Sequence, residues 1–259
     1  RQRQMCIRDR VQTGSLNPKE VTVPGVFIDD IVVCENPLEE HRQTSSWYFD
    51  PSYCGQARVP QENIPAASFN ERKFIARRGA MELYHGAVVN LGTGIPNDMV
   101  GRVCNEEGIS DDIMITVESG IYGGVQAGGI DFGIGQNLYA MIGHHEQMDY
   151  YNGAGVDITY MGIGELGEDG SVNSTKMGVR CTGAGGFIDI TQNAKKVVFL
   201  GTFTAGGAKY KFENRKLEIL QEGKIRKMVR QVAQLSFNGP MARKKGQEVM
   251  VVTERAVFQ

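Results

Sequence analysis

Four short apolar segments, each running into glycine, constrain the fold of this 259-residue chain most strongly. The segments are residues 87–91, 113–117, 158–163 and 196–200. Helical stretches are predicted between them at 96–105 and 137–149. Continuously apolar strands of this kind are typical of a parallel sheet that is covered on both faces. The pattern therefore predicts an α/β fold with an open, mostly parallel sheet and helices on both faces.

The segments outside this core have a different character. Residues 11–65 hold six of the eight prolines and predict a linker with one strand at 26–34. A helix is predicted to follow, with Ser68 as its N-cap. Beyond residue 208, polar and apolar residues alternate at 216–220 and 225–229, which predicts a β-meander appendage with one solvated face. Residues 248–258 predict a final strand that stops without a cap, as in a piece of a longer protein.

Charge and cysteine content exclude several classes of protein. The chain has 28 basic and 30 acidic residues and a formal net charge of −2, which argues against nucleic-acid binding through a broad basic face. Its five cysteines form no CxxC pair, so we expect a reducing, cytoplasmic compartment rather than a disulfide framework or a zinc site. No apolar run approaches the roughly 18 residues that a membrane span needs.

Glycine is in excess, at 33 residues, and it clusters where the predicted strands end. The clusters are residues 92–96, 118–124, 162–164, 183–187 and 201–207. Ligands bind open parallel sheets at the carboxyl ends of their strands, and glycine lets backbone N–H groups approach a ligand closely. Glu118 lies at such a strand end. It is interpreted either as a solvated or capping glutamate or as a carboxylate nucleophile.

These motifs resemble the family I CoA-transferases. The similarity is carried by VESGIYGG at 117–124, NLGTGIP at 90–96, GEDGSVNST at 167–175, GAGGF at 183–187 and GTFTAGG at 201–207. The similarity spans roughly residues 11–259. The chain most resembles the propionate or acetate CoA-transferase group, in which two related halves are fused in one chain. The two-subunit members have SENG around the glutamate, whereas this chain has VESG, which suits the fused branch.

The resemblance implies a function and a set of site residues. CoA would pass from a short-chain acyl-CoA to a free carboxylate by ping-pong chemistry through a glutamyl-CoA thioester on Glu118, with coenzyme A as a substrate and no metal. The implied oxyanion- and acyl-binding residues are Gly94, Ile95, Gly183, Gly185 and Gly186. The implied CoA-binding residues are Gly92, Thr93, Pro96, Gly206, Gly207 and Lys209. Lys209 is alternatively a solvated strand lysine. Asn173 would orient Glu118, or it is a turn residue.

The resemblance also implies a domain organisation. Residues 1–10 are interpreted as a foreign leader, 11–67 as a linker and the tail of a missing N-terminal half, and 68–259 as the catalytic half, truncated at its C-terminus. The site would lie at the junction of the two halves, so the chain alone is expected to be weakly active or inactive. The intact enzyme is expected to be a homo-oligomer. The alternative is a non-catalytic ligand-binding domain on the same sugar-phosphate isomerase-like fold.

Three rival sites are weaker. GTGIPND at 92–98 suggests a dinucleotide loop, but Asn97 replaces the third glycine. A metal site is suggested by His144, His145, Glu146 and Asp149. Adjacent histidines on a helix point about 100° apart, however, so only His145 and Asp149 share a face. Cys181 could act as a thiol nucleophile, although no histidine is near it in sequence.

Overall fold

The computed structural model describes residues 4–7, 11–153, 155–214 and 216–259, without side chains at 4–7, 37 and 38. The chain divides into two compact units, Arg1–Asp50 and Pro51–Gln259. This division lies earlier than the predicted boundary after residue 67.

The first unit contains β1 (Gln4–Ile7), β2 (Asp30–Val33) and α1 (Pro37–Glu40). β1 pairs with β2 in parallel, so part of the segment that sequence reasoning set aside forms a strand. The rest of that segment, residues 1–3 and 8–10, lies outside the described residues. β2 is shorter than the predicted strand because residues 25–27 form a 3-10 turn.

The second unit holds the remaining elements. Its helices are α2 (Glu71–Ala80), α3 (Gly101–Glu106), α4 (His144–Asn152), α5 (Phe187–Asn193) and α6 (Gly239–Lys245). Its strands are β3 (Val88–Leu91), β4 (Met114–Val117), β5 (Ile121–Tyr122), β6 (Val125–Gln126), β7 (Gly135–Gln136), β8 (Ala140–Met141), β9 (Ile158–Gly162), β10 (Glu165–Gly167), β11 (Val172–Asn173), β12 (Lys176–Met177), β13 (Arg180–Cys181), β14 (Lys196–Leu200), β15 (Thr204–Ala205), β16 (Lys209–Glu213), β17 (Lys216–Gln221), β18 (Ile225–Arg226), β19 (Met228–Val229), β20 (Glu248–Val252) and β21 (Val257–Phe258).

An eight-stranded sheet forms the centre of this unit, in the order β21-β20-β14-β9-β3-β4-β5-β8. The strands from β20 to β4 pair in parallel, whereas the pairs β4–β5, β5–β8 and β20–β21 at the two edges are antiparallel. All four predicted core strands are present, and β14 has the predicted bounds. The expectation of an open, mostly parallel sheet is confirmed.

Helices cover both faces of this sheet, as predicted. On one face, Ile75 and Ala76 of α2 and Val103 of α3 pack with Val89 and Leu91 of β3. On the other face, Tyr151 of α4, Ile190 of α5 and Ala242 of α6 pack with Phe199 of β14 and Val251 of β20. Each parallel strand is therefore buried on both sides, which explains why its sequence is continuously apolar.

Two helix predictions were wrong in detail. The Oδ1 atom of Asn70, rather than Ser68, caps α2 by accepting from the N–H of Lys73 at 3.0 Å. The helix predicted at 137–149 begins only at His144. Asn137 has a φ of 60°, and residues 140–141 pair with β5, so tertiary pairing overrides the helical pattern there.

The C-terminal appendage is partly as predicted. β16 and β17 form an antiparallel hairpin in which exposed and half-buried residues alternate. Residues 225–229 divide into β18 and β19, which pair with β15 and β10 respectively. The predicted strand at 248–258 reverses after Val252, where the hydroxyl of Thr253 donates to the carbonyl of Ala256 at 3.0 Å. Helices α5 and α6 had not been predicted.

Candidate functional site

The carboxyl ends of five parallel strands meet at one edge of the sheet. The residues that directly follow β3, β4, β9, β14 and β20 are Gly92, Glu118, Ile163, Gly201 and Thr253. This is the edge at which open α/β sheets bind ligands. Glu118 is the only acidic side chain among these five residues.

Glu118 is half-buried at the end of β4. β4 is tied to α4 by Thr116, whose hydroxyl lies 2.8 Å from that of Tyr151. The backbone of Gly186, which is the N-cap of α5, lies against the carboxylate of Glu118, and its N–H favours the charged form. The charge of His144, the first residue of α4, acts on the carboxylate in the same direction. A rigid strand thus presents this carboxylate to the N-terminal ends of two helices.

Burial raises the pKa of Glu118 above its usual range, while the positive charge of His144 and the Gly186 N–H act in the opposite direction. Burial disfavours the ionised form, whereas hydrogen bonding and a nearby cation favour it. A carboxylate whose pKa is raised in a cleft is a candidate for chemistry. The polar contacts favour the ionised form, which is the form in which a carboxylate can act as a nucleophile.

Two glycines shape the surroundings of this carboxylate. A Cβ atom at position 186 would overlap Oε2 of Glu118, so only glycine allows its N–H to approach the carboxylate so closely. Gly120, in the turn after Glu118, has a φ of 102°, and a Cβ there would overlap the carbonyl oxygen of Ile142. Glycine is therefore needed at both positions.

Glu118 lines a cleft of about 510 Å³. The structure brings five other predicted site residues into the lining of this cleft: Gly92, Thr93, Gly183, Gly185 and Gly186. Residues on three separate loops of the sequence thus converge on the carboxylate.

The remaining residues predicted for oxyanion or CoA binding lie outside this lining. Gly94 is exposed, Ile95 packs against the core beneath α2, and Pro96 is buried in the first turn that follows. Gly206 and Gly207 are exposed beyond β15, and Lys209 is exposed at the start of β16.

The structure does not bring the side chain of Asn173 to Glu118. Its Nδ2 atom donates to Oε2 of Glu165 at 2.8 Å and to the carbonyl of Lys176 at 2.7 Å. Its Oδ1 atom accepts from the N–H groups of Thr175 and Lys176, both at 3.2 Å. Asn173 lies in β11, and these bonds fix the base of the β12–β13 hairpin.

Sequence reasoning missed the hairpin residues that line the cleft. Met177 of β12 and Arg180 of β13 both belong to the lining. One signal for these residues was available in the sequence. They lie between Asn173 and the GAGGF motif, and a glycine-containing segment directly before a predicted site loop has to fold near that loop. Hairpin pairing over two-residue strands is too short to show as periodicity.

The structure gives little support to the three rival sites proposed from the sequence. Asn97 is buried, and its amide donates to the carbonyl of Ala127, so it serves the packing of its own loop. Cys181 is exposed on β13 and does not belong to the lining of the cleft. Within the described ranges, no group of three or more His, Cys, Asp or Glu side chains is arranged to hold a metal ion. No described helix combines the length and apolar character that crossing a membrane requires.

Comparisons with known proteins agree with the resemblance. No protein-family model matches the chain. It is 40% identical over 251 residues to the caffeate CoA-transferase of Acetobacterium woodii, a match that covers 95% of this chain and 47% of that protein. It is 37% identical over 254 residues to the acetate CoA-transferase YdiF of Escherichia coli K12, covering 98% of this chain and 47% of that one.

Solved structures give the same result. The crystal structure of the acyl-CoA transferase YdiF apoenzyme from E. coli O157:H7 matches with a TM-score of 0.83 and 35% identity, over 98% of this chain and 47% of that one. A structure of the same enzyme as a thioester complex with CoA matches with a TM-score of 0.80 and 36% identity, over 98% and 46%. The chain spans about half the length of the curated relatives it matches, and these names favour an enzyme over a non-catalytic binding domain.

Proposed function

Since this chain is homologous to CoA-transferases over nearly its whole length, we propose that it is the catalytic half of an enzyme that moves CoA from a short-chain acyl-CoA to a free carboxylate. One observation carries the proposal. Glu118 lies at the end of a parallel strand, lines a cleft, and is approached so closely by the backbone at Gly186 that only glycine fits there.

The chemistry follows from the carboxylate. An oxygen of Glu118 attacks the carbonyl carbon of the acyl-CoA, which forms a mixed anhydride and releases the CoA thiolate. The thiolate then attacks the Glu118 carbonyl carbon, giving a glutamyl-CoA thioester and freeing the first acid. The acceptor acid reverses these steps with its own carboxylate, so no bond energy has to be supplied from outside. The solved relative that is a thioester complex with CoA supports this intermediate.

Backbone N–H groups are proposed to stabilise the oxyanion of each tetrahedral intermediate. The backbone of Gly186 lies against the carboxylate, and Gly183 and Gly185 are on the exposed loop that precedes it. Gly94 and Ile95 remain proposed donors from the other side. Losing one aligned donor typically costs on the order of 3 kcal/mol of activation free energy. These assignments rest on the resemblance and on the placement of the loops.

The CoA-binding residues are proposed in two groups. Gly92 and Thr93 line the cleft and would contact the thiol end of CoA. Pro96, Gly206, Gly207 and Lys209 would meet more distant parts of the cofactor, because they follow β3 and β14 at the same edge of the sheet. Asn173 is proposed to act on Glu118 only indirectly, by holding the β12–β13 hairpin.

We further propose that the site is completed by a second half of the same enzyme. The support is that the relatives are about twice as long as this chain. The run from Gly178 to Gly185 beside the cleft is exposed, as expected for a surface that another part of the enzyme covers. The chain alone is expected to be weakly active or inactive, and the intact enzyme to be a homo-oligomer. Its free thiols at Cys34, Cys54, Cys104 and Cys181 support a reducing, cytoplasmic compartment.

Mass spectrometry tests the function directly. The complete enzyme is incubated with propionyl-CoA, digested, and searched for a CoA adduct on the peptide that contains Glu118. We expect an adduct that disappears when excess acetate is added, since the acceptor acid discharges it. A folded complete enzyme that shows neither the adduct nor CoA exchange would overturn the proposal. Full turnover by the isolated chain would contradict the expected need for a second half.

A further inference from the structure

Two side chains of the β12–β13 hairpin, Met177 and Arg180, line the cleft that contains Glu118, and neither takes part in the chemical steps given above. The base of this hairpin is held firmly. The N–H of Thr182 donates to the carbonyl of Thr175 at 3.1 Å, and the hydroxyl of Ser174 donates to the carbonyl of Gly162 at 2.8 Å. Asn173, which is fully buried, bonds the backbone of Lys176 on both its N–H and its carbonyl. The hairpin is therefore attached to the end of β9, at the edge of the sheet where Glu118 lies.

The two side chains that the hairpin places in the cleft differ in chemistry. Met177 lies over Gly164 so closely that a Cβ atom there would overlap its methyl group. Arg180 is exposed and is the only cationic side chain among the described residues that line the cleft. No ion pair of Arg180 occurs within the described part of the chain. A guanidinium in this position is available to an anion from solution.

The proposed reaction brings such an anion into this cleft. Every turnover requires a free carboxylate to approach Glu118, and the one acidic side chain in the lining is Glu118 itself. In the resting enzyme the ionised carboxylate of Glu118 repels the carboxylate of the acid substrate. In the thioester state the Glu118 side chain is uncharged, so it does not attract the substrate either. A cation on the wall of the cleft therefore supplies the recognition that the glutamate cannot.

Resting on the proposed function, we propose that Arg180 binds the carboxylate of the acid substrate and selects acids with a single negative charge. Guanidinium pairs with carboxylate through two parallel N–H···O bonds. The large side chains around it, Met161, Ile163, Met177 and Phe187, are apolar and suit the rest of a monocarboxylic acid. A second carboxylate would find no cation in the described lining.

The phosphates of CoA are the other anions that could meet Arg180. They are separated from the reacting sulfur by the whole pantetheine arm, whereas Arg180 shares one cleft of about 510 Å³ with the reacting carboxylate. The carboxylate of the acid is therefore the closer partner. The two possible partners of Arg180 make different predictions. If Arg180 binds the carboxylate of the acid, replacing it changes KM for the acid alone. If it binds the CoA phosphates, replacing it changes KM for the acyl-CoA alone.

Steady-state kinetics of the complete enzyme test the inference, with both substrates varied. In Arg180→Met we expect KM for acetate and butyrate to rise about 10- to 100-fold, since a charged hydrogen-bonding partner is lost. KM for propionyl-CoA and the yield of the Glu118 adduct should stay unchanged. Arg180→Lys should restore part of the affinity. Arg226→Met is the matched control, because Arg226 is an exposed arginine on β18 away from the lining. The wild type should also use butyrate in preference to succinate, which has the same number of carbon atoms.

Three outcomes would overturn the inference. The first is an unchanged KM for both acids in a folded Arg180→Met enzyme. The second is a rise confined to the acyl-CoA, which would assign Arg180 to the phosphates. The third is equal use of butyrate and succinate. A wild-type enzyme with neither turnover nor adduct would overturn the proposed function instead, and it would be recognised before any variant is made.

Discussion

Two cavities in the second unit differ in size and in chemistry. The larger, about 720 Å³, lies along the β20–β21 edge of the sheet, between Leu166, Phe203, Val251 and Phe258. The smaller, about 510 Å³, contains Glu118. The larger cavity is lined by two acidic residues, Glu168 and Asp169, and both are exposed. The carboxylate of Asp169 already accepts hydrogen bonds from the N–H and the hydroxyl of Ser171. Only the smaller cavity combines a half-buried carboxylate, an N–H directed at it and an arginine. We therefore base the proposed site on convergent polar groups at strand ends and not on cavity volume.

Replacing the glutamate in each cavity should give the largest contrast. Glu118→Gln removes the nucleophile, and we expect the transfer rate to fall by about 10⁴-fold or more, with no CoA adduct. Glu168→Gln makes the same change in the larger cavity and should leave the rate within about twofold. The measurement is CoA exchange between propionyl-CoA and acetate. Comparable losses in both variants would mean that the wrong cavity has been assigned.

Phe199 connects the walls of the two cavities. Its buried ring lies 6.1 Å from that of Phe187, which lines the smaller cavity, and the residue is in register with Val251 of the larger one. Because Phe199→Ala empties a well-packed core, we expect the free energy of unfolding to fall by about 3–5 kcal/mol. Urea unfolding of the purified enzyme measures it. Phe199→Leu, which leaves a smaller void, should cost less, and an equal cost in both variants would contradict a packing role.

Gly186→Ala tests the close approach to Glu118. The added methyl group would overlap Oε2 and displace the carboxylate from the N–H that now binds it. We expect the rate of adduct formation to fall on the order of 10²- to 10³-fold, as when one oxyanion donor is removed. Gly25→Ala is the control, because a Cβ there meets nothing within 4 Å and the backbone needs no positive φ. Retained adduct formation in a folded Gly186→Ala enzyme would show that Glu118 does not depend on this contact.

The pH dependence should show the smallest effect. Since burial raises the pKa of Glu118 and the ionised form attacks, adduct formation should increase with pH through a midpoint above the usual range for glutamate. His144→Gln removes the positive charge that lowers this pKa, so the midpoint should move to higher pH, with a rate loss of at most about tenfold at a fixed acidic pH. His145→Gln, at the adjacent position, should leave it unchanged. A midpoint that moves to lower pH in His144→Gln would contradict the electrostatic account.

The sequence was most informative where local pattern and tertiary packing agree. Strand β14 was predicted at its observed bounds because every residue from Val197 to Leu200 is buried, and burial on both faces leaves a continuous apolar run. The N-cap of α2 was misplaced by two residues, since both Ser68 and Asn70 are capable caps and only the backbone geometry selects one of them. Helix α5 was missed because its seven residues are too few for a periodic signal.

Among the site residues, Glu118 could be found from its place after an apolar strand, because parallel strands share one carboxyl edge. The contacts of Glu118 could not be found in this way. Gly186 is 68 positions further along the chain and Arg180 is 62, and no local pattern records which loop folds back over which strand end. The apolar segments and their glycine ends thus specify the sheet and the candidate carboxylate. The presence of Gly186 and Arg180 in the same cleft as that carboxylate arises from packing between distant segments, which is a property of the folded chain as a whole.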